Sequence, residues 1–239
     1  MAKFSHHEPC SSCGSRDNLG RYSDGSAYCF GCGYTERGSK SPFVGERDGK
    51  TERDDDRVRI PEDATGTIGD PRAVEWLAKA NVTMPEAIRA GILWSPFWEQ
   101  LLIPFYDRDG QLCCIQAKNF NTERARKAKY YNTGDKNESF TKYGVHASTL
   151  VLTEDALSAI RCGRFVSGMP LLGTSITRDK LAILRKQYDR LIVWLDADKW
   201  RESREIADAG KLLGFTTKTI YTEQDPKSYS DEEIKEFLL

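Results

Sequence analysis

The sequence has no hydrophobic run long enough to span a membrane and no surplus of charge of either sign. A membrane-spanning helix needs about 18 or more consecutive apolar residues, and no stretch of the 239 residues approaches that length. The first ten residues, MAKFSHHEPC, lack the apolar core of a signal peptide. We therefore expect a protein of the cytoplasm that has no membrane partner.

The composition excludes a chain that is disordered throughout. Hydrophobic residues make up 39% of the sequence and aromatic residues 10%, which is enough for a packed core. The length leaves room for one domain of ordinary size and a second, small one. The net charge of -1 is an average over segments of opposite sign, so it does not argue against a nucleic-acid partner.

Four of the seven cysteines form two CxxC pairs near the N-terminus, Cys10 with Cys13 and Cys29 with Cys32. Two such pairs supply four thiolates for one tetrahedral zinc ion, and the intervening length fits a short hairpin. Because all four positions are filled by cysteine, we expect a structural Zn²⁺, whose binding of about 10–16 kcal/mol replaces a hydrophobic core. The aromatic and arginine side chains around the pairs either stack on unpaired bases or pack beneath the metal.

The pattern along the chain predicts four segments. Residues 1–38 form the zinc-binding ribbon domain, and residues 39–67, dense in charges of both signs, form a flexible linker. An exposed loop within one continuous domain is the alternative for the linker. Residues 68–148 form a basic α+β subdomain with two helices and a hairpin that turns at Asp109-Gly110. Residues 149–239 alternate strands with helices, which predicts an α/β core with a mixed, mostly parallel sheet.

A strip between Lys118 and Lys142 carries seven basic and three acidic residues, a local charge of +4. Clustered cations bind phosphates, and interleaved aromatic rings stack on bases, so the strip predicts contact with nucleic acid or nucleotides. A solvated surface is the alternative. The candidate binding residues are Lys118, Arg126, Lys127, Lys129, Tyr131 and Lys142.

Carboxylates follow two apolar strands in the last third of the chain. Glu154 and Asp155 come after LVLT, and Asp196 and Asp198 come after LIVWL. The carboxyl ends of parallel strands line one crevice, and clustered carboxylates bind Mg²⁺ through their oxygens. The sequence therefore predicts metal-assisted phosphoryl or nucleotidyl transfer, with helix capping as the alternative for each residue alone. Asp225 is either a further acidic group or part of a turn before proline.

Five stretches, taken in order, resemble the primase half of phage primase–helicases and, more distantly, bacterial-type primases. They are CSSCG with CFGCG, IPFYDRDGQLCCIQAKNF, KYYNTGDKNESFTKYG, LVLTEDALSAIR and VWLDADKW. The resemblance covers nearly the whole chain. It implies a Toprim-type catalytic core, a preceding basic subdomain and a zinc domain that reads a trinucleotide in the template. The implied enzyme is a phage DNA primase, a nucleotidyltransferase that makes short RNA primers on single-stranded DNA.

The resemblance also implies roles for individual residues. Glu154 would assist proton transfer or bind metal, while Asp196 and Asp198 would bind catalytic Mg²⁺, with Mn²⁺ as an alternative. Lys118 and Lys129 would face nucleotide phosphates or template. The implied partners are the DNA template, ribonucleoside triphosphates, a replicative helicase and a DNA polymerase. If the chain is encoded by a phage, it would act in the host cytoplasm.

The sequence departs from the family pattern in two places. The usual E-G-x-x-D reads EDALS here, so Asp155 stands where the family has glycine. No G-x-x-x-x-G-K-[ST] phosphate loop is present, so we expect either a free-standing primase that works with a separate helicase or a fragment of a longer one. The alternatives are a RecR-like recombination and repair protein, which joins a zinc finger to a Toprim fold and binds DNA, and a Toprim nuclease or topoisomerase fragment.

Overall fold

The computed structural model describes residues 3–11, 14–23, 25–30, 34–36, 58–144 and 148–239. The chain forms two units, Met1–Arg53 and Asp54–Leu239. The first unit contains an antiparallel sheet in which each strand pairs with the next along the chain. Its strands are β1 (Phe4–Glu8), β2 (Leu19–Tyr22), β3 (Ala27–Cys29) and β4 (Thr35–Glu36).

The core of the first unit is very small. Its buried hydrophobic residues, among those described, are Cys10, Leu19, Ala27 and Cys29, with Tyr34 packed against them. The hairpin that we predicted between the two CxxC pairs is present as β2 and β3. Burial of these four side chains by itself stabilises a fold only weakly.

The second unit begins with an antiparallel half, residues 58–144. Its sheet has the strand order β5-β6-β7-β8, and helices α1 and α2 precede it. Asp70 caps α1 and Thr83 caps α2 through a capping box. The elements are α1 (Pro71–Lys79), α2 (Met84–Arg89), β5 (Leu93–Ser95), β6 (Gln100–Tyr106), β7 (Leu112–Asn119), α3 (Thr122–Lys127) and β8 (Tyr130–Gly134).

The hairpin of β6 and β7 turns where the sequence predicted it. The Asp107 carboxylate accepts hydrogen bonds from the backbone N–H groups of Asp109 and Gln111. Gly110 has a φ of +79°, a conformation that glycine adopts without strain. This hairpin fixes the register of the central strand pair of the sheet.

The predicted linker over 39–67 is wrong for its last ten residues, 58–67. Val58, Ile60 and Ala64 pack against the buried cluster formed by Leu102, Ile115 and Ala117, and Thr65 pairs with Trp94. The alternating apolar residues of this stretch therefore cover one face of the sheet. The rest of the predicted linker, 39–57, lies outside the described residues.

The parallel half, residues 148–239, confirms the predicted α/β class. Its four strands have the order β10-β9-β11-β12 and are all parallel. Within the described residues, the mixed character that we expected is limited to one antiparallel bridge between Tyr143 and Gly168 at the edge. The elements are β9 (Thr149–Thr153), α4 (Ala156–Cys162), β10 (Ser167–Pro170), α5 (Arg178–Arg185), β11 (Arg190–Trp194), α6 (Trp200–Leu212), β12 (Thr216–Thr219) and α7 (Asp231–Leu238).

Helices cover both faces of the parallel sheet, as alternating strands and helices predict. On one face, Leu150, Leu191 and Val193 pack in a cluster with residues of α5 and α6. On the other, Val151 and Trp194 pack in a cluster with residues of α4 and α7. Both faces are therefore buried, and the exposed edge formed by the strands' carboxyl ends is left for function.

Two glycines allow close approaches beside α4. A β-carbon at Gly168 would lie 2.0 Å from the carbonyl oxygen of Ala159, and one at Gly144 would lie 1.9 Å from that of Gly163. Gly144 also has a φ of +93°. Both positions exclude a side chain. In the described part of the chain, no helix is long and apolar enough to cross a membrane.

Candidate active site

Carboxylates meet at the carboxyl ends of three neighbouring parallel strands. Glu154 directly follows β9, Asp196 follows β11 after one residue, and Asp225 comes after β12. Because β9, β11 and β12 are adjacent in the sheet, these side chains converge at one edge. The sequence predicted this convergence for Glu154 and Asp196, and left Asp225 open.

Two of these carboxylates, Asp196 and Glu154, have raised pKa values. Burial, followed by the charges of Asp225 and Glu154, raises the pKa of Asp196 to about 7. Burial also raises the pKa of Glu154, with Asp198, Asp155 and Asp225 adding to the effect. The Oε2 atom of Glu154 is buried and has no hydrogen-bond partner among the described residues. Lys199 and Lys227 offset part of this negative charge, and what remains favours the binding of a cation.

Asp198 is arranged differently from the other two predicted metal ligands. Its side chain is exposed and pairs with Lys199, which lowers the pKa of Asp198. The structure therefore brings Glu154 and Asp196 together and places Asp198 near enough to affect Glu154 but bonded elsewhere. Among the neighbouring charged groups, Asp225 contributes most to the raised pKa of Asp196.

Lys227 pairs with two carboxylates, Asp155 and Asp225, on one side of the cluster. Asp155 caps α4, accepting hydrogen bonds from the backbone N–H groups of Leu157 and Ser158. The Lys227 ammonium lies 2.8 Å from Asp155 Oδ2 and 2.5 Å from Asp225 Oδ2. Burial opposes protonation of Lys227, but the two carboxylates outweigh it and raise its pKa. The capping role that we considered for Asp155 is confirmed.

The carboxylates fit a divalent cation by their chemistry, although they are not closed around one. Among the residues described, no three His, Cys, Asp or Glu side chains form a group ready to hold a metal ion. Lys199 pairs with Asp198, and Lys227 pairs with Asp155 and Asp225. The unpartnered oxygen of Glu154 and the neighbouring Asp196 leave oxygen donors of the kind Mg²⁺ prefers.

A cavity of about 330 Å³ opens beside the cluster, and we call it the cleft. One wall comes from the carboxylates and Lys227, and the other from α1 and the antiparallel sheet. The residues of the second wall include Trp76, Lys79, Ile103, Gln116 and Tyr130. Aromatic and basic groups thus face the carboxylates across a space of small-ligand size.

Lys118 lies on the face of the antiparallel sheet that lines the cleft. It pairs with Tyr130 in the β7–β8 register, and its ammonium lies 4.9 Å from the Tyr130 ring and 5.1 Å from the Phe120 ring. Burial, followed by repulsion from Lys129, lowers its pKa. The Lys129 ammonium also lies over the Tyr130 ring, at 5.9 Å. A partly buried cation among rings is suited to a nucleotide phosphate.

The basic strip does not form one surface. Side chains alternate between the faces of a strand, so Tyr131 lies opposite Tyr130 and, with Lys127, lines a cavity on the other face of the sheet. Lys142 instead bonds to Gln187 and lies over the Tyr188 ring. Arg126 is exposed on α3. The candidate binding residues therefore lie on more than one surface, with Lys118 and Tyr131 on opposite faces of the sheet.

The zinc site stays a prediction. Cys10 and Cys29 are buried in the core of the first unit, while Cys13 and Cys32 lie outside the described residues. The surrounding aromatic residues were expected either to pack in the unit or to stack on bases. Tyr34 packs against the core, whereas the Phe30 side chain is 60% exposed. Arg21 is bound by Glu8 and Glu36.

Sequence reasoning missed Lys227 and the aromatic wall of the cleft. Lys227 follows Pro226 in a short 3-10 helix, where a lysine gives no signal of function. Trp76 belongs to the apolar pattern of α1, which indicates a helix but not a site. Tyr130 could have been separated from Tyr131 by strand alternation, once KYYNTG had been assigned to a strand.

Comparison with protein families and curated proteins finds no family model and no curated protein that matches the sequence. Solved structures resemble it. The RNA polymerase domain of Mycobacterium tuberculosis primase DnaG has a TM-score of 0.54 at 15% identity, covering 70% of this chain and 74% of that one. The E. coli primase catalytic core has a TM-score of 0.50 at 14% identity, covering 66% and 69%.

A longer structure with zinc-binding and RNA polymerase domains, from Aquifex aeolicus primase, has a TM-score of 0.47 at 20% identity. The match covers 71% of this chain and 48% of that one, so the chain spans about half the length of that relative. On the two matches with the higher scores, this chain has the fold of a primase catalytic core.

Proposed function

We propose that this protein is a DNA primase that synthesises short RNA primers on single-stranded DNA by metal-dependent nucleotidyl transfer. The observation that carries the proposal is the meeting of Glu154, Asp196 and Asp225 at neighbouring strand ends, facing basic and aromatic groups across the cleft. On a primase fold, this arrangement supplies the two requirements of nucleotidyl transfer, a binding place for divalent cations and one for phosphates.

Each side of the cleft has a separate task in this proposal. Glu154, Asp196 and Asp198 would hold Mg²⁺ or Mn²⁺, which would neutralise triphosphate charge and activate a primer 3′-hydroxyl. Lys118 and Lys129 would bind phosphates, and Trp76 and Tyr130 would stack on a base or ribose. The raised pKa of Glu154 also suits it to accept a proton.

Lys227 would act as a fixed counter-charge within the acidic cluster. Because its ammonium already lies between Asp155 and Asp225, half of the negative charge of those two carboxylates is balanced without a metal. Glu154 and Asp196, which have no such partner, would then be the principal cation ligands. Asp155, which replaces the glycine of the family pattern, would therefore position Lys227 and cap α4 rather than bind metal.

The remaining assignments follow from the sequence and extend the proposal. The M. tuberculosis domain has been solved with double-stranded DNA, which supports a DNA partner here. Ribonucleoside triphosphates, a replicative helicase and a DNA polymerase would be the other partners, in the host cytoplasm if the gene belongs to a phage. Cys10, Cys13, Cys29 and Cys32 would bind one structural zinc, so metal analysis should find about one zinc per chain, reduced in Cys29→Ser.

The decisive experiment supplies long single-stranded DNA of mixed sequence, radiolabelled ribonucleotides and Mg²⁺ or Mn²⁺, and separates the products on a denaturing gel. We expect short RNA complementary to the template. Asp196→Asn and Glu154→Gln should reduce its yield by at least 100-fold, because each removes a cation ligand from the cleft.

Asp189→Asn is the matched control, because Asp189 lies at the opposite end of β11 and is exposed. It makes the same chemical change on the same strand and should leave the yield within about twofold of the wild type. DNA binding without any RNA product, also with a helicase added, would overturn the proposal in favour of a RecR-like protein.

A further inference from the structure

The antiparallel sheet carries a second cavity on the face opposite the cleft. Its volume is about 420 Å³, within the usual range of about 300–1,000 Å³ for small-ligand sites. We call it the outer pocket. Its lining comes from β6, β7, β8, α3 and the segments before β5 and β6, namely Arg59, Pro61, Trp98, Gln100, Leu102, Ile115, Ala117, Asn119, Arg124, Lys127, Tyr131 and Thr133.

The charge of the outer pocket has one sign. Arg59, Arg124 and Lys127 line it, and no aspartate or glutamate does so among the described residues. The cavity beside Arg161 and Arg164 differs, because Asp231 lines it and pairs with both arginines. Cations without lining carboxylates attract an anionic ligand.

Two aromatic side chains stand at the pocket with their rings partly open to solvent. Trp98 is 39% exposed and Tyr131 is 41% exposed. The Arg124 guanidinium carbon lies 4.1 Å from the centre of the Trp98 ring, which orients both side chains. Open rings beside cations suit a ligand that is both planar and anionic.

A chain of hydrogen bonds fixes the floor of the pocket. The Tyr131 hydroxyl donates to Gln100 Oε1 at 3.0 Å, Gln100 Nε2 to Asn119 Oδ1 at 2.7 Å, and Asn119 Nδ2 to the Ala128 carbonyl at 2.6 Å. Gln100 and Asn119 are each only 4% exposed. Tyr131 is therefore held in place before any ligand arrives, which lowers the entropic cost of binding.

We propose that the outer pocket is a second nucleotide-binding site, separate from the cleft. A base would stack on Trp98 or Tyr131, and its phosphate would contact Arg124 and Lys127. The nucleotide is either one unit of a single strand or a free nucleoside triphosphate, since both present a base and phosphate. The inference goes beyond the proposed catalytic function, because the carboxylates face the other side of the sheet.

The test uses the full-length protein in EDTA, so that no divalent cation supports binding in the cleft. A fluorescein-labelled twelve-residue oligothymidylate is titrated by anisotropy, and methylanthraniloyl-ATP by its own fluorescence. Lys127→Glu and Tyr131→Ala should each weaken binding of at least one probe by about fivefold or more, the lower end of measured base-stacking effects.

Two matched variants serve as controls. Lys211→Glu makes the same charge change at an exposed position on α6 and should stay within twofold of the wild type. Tyr131→Phe keeps the ring and loses only the bond to Gln100, so it should retain most of the affinity that Tyr131→Ala loses. Thermal unfolding of each variant verifies the fold.

The outcomes separate the two sources of the ligand. Weakening for the oligonucleotide alone identifies a strand-binding site, and weakening for the ATP probe alone identifies a free-nucleotide site. Unchanged affinity of both probes in folded Lys127→Glu and Tyr131→Ala would overturn the proposal. Because no RNA synthesis is measured, failure of the proposed primase activity would leave this result independent.

Discussion

The two ends of helix α4 differ in how completely their carboxylates are paired with cations. At its N-terminal end, Asp155 caps the helix beside Glu154 and Asp196, and the pKa values of those last two are raised. At the other end, Arg161 and Arg164 bind Asp231, and Arg164 also binds Glu86. There burial opposes ionisation of Glu86, but hydrogen bonds from Arg164 and Thr83 outweigh it and lower its pKa to about 2.

The difference separates the end of α4 that stabilises the fold from the end at which we propose that a cation binds. The arginine end satisfies its carboxylates and ties α4 to the α1–α2 connection and to α7, since Arg161 also donates to the carbonyls of Asn81 and Tyr229. At the acidic end, burial and neighbouring carboxylates disfavour ionisation of Glu154 and Asp196, a cost that a bound cation would offset. One end of this short helix thus stabilises the fold, and the other is the end that the proposed function would use.

The largest effect should come from breaking the arginine end. Arg161 is 2% exposed, so Arg161→Ala leaves the Tyr229 carbonyl without its donor and opens a cavity. We expect the free energy of unfolding to fall by about 3 kcal/mol, measured by urea denaturation. Arg185→Ala is the control: its side chain is 35% exposed, and the loss should stay below about 1 kcal/mol. Equal losses in the two variants would show that the buried arginine stabilises the fold no more than the partly exposed one.

A pH series on Glu86→Gln should sharpen the comparison. Glu86 is ionised in the fold down to a pKa of about 2, whereas in the unfolded chain it takes up a proton near pH 4.5. Its contribution, about 2 kcal/mol, is therefore present above pH 4.5 and is lost as the pH falls towards 2. The stability difference between wild type and Glu86→Gln should shrink over this window. A difference that is constant with pH would exclude the ionised pair as its source.

The smallest effect has the opposite sign and belongs to the acidic end. The pKa of Asp196 is about 7, so its protonated form stabilises the fold at low pH, and that stability is lost as the pH rises from about 4 to 7. In EDTA at pH 8, Asp196→Asn should raise the free energy of unfolding by about 1 kcal/mol, after allowance for partial exposure.

At pH 4 the same substitution should give no gain, because the wild-type carboxyl is protonated there. Added Mg²⁺ should raise the melting temperature of the wild type more than that of Asp196→Asn. Destabilisation by Asp196→Asn at pH 8 would contradict the prediction that the ionised Asp196 carboxylate destabilises the fold.

Much of the site could be predicted from the sequence, because the ends of apolar strands can be predicted from it. Glu154 and Asp196 follow apolar strands at once, so their convergence depends only on those strands being parallel neighbours. Asp225 lies farther from β12 and before a proline, where a turn explains it equally well. Asp198 was expected beside Asp196, but Lys199 pairs with Asp198. The spacing of residues in the sequence does not predict which rotamer a side chain adopts.

The errors in the fold have a common cause, which is that charged residues concealed an apolar pattern. Val58 and Ile60 alternate within a segment rich in acids and bases, and the charges suggested a linker although the two side chains pack on the sheet. Tyr130 and Tyr131 likewise stood in a strip defined by its charge, which carries no information about faces. The alternation of strand side chains assigns them to opposite faces once the segment is known to be a strand, and its pairing with β7 establishes that.

The glycines beside α4 bear on how this sequence tolerates change. Gly168 lies under the Ala159 carbonyl and bridges to Tyr143, and Gly144 fits against Gly163, so neither position has room for a methyl group. In a library that samples all amino acids at every position, both glycines should rank with Glu154 among the least replaceable, although neither contributes a chemical group. Their replacement would be eliminated for geometric reasons, and a map of intolerance alone would mistake them for part of the active site.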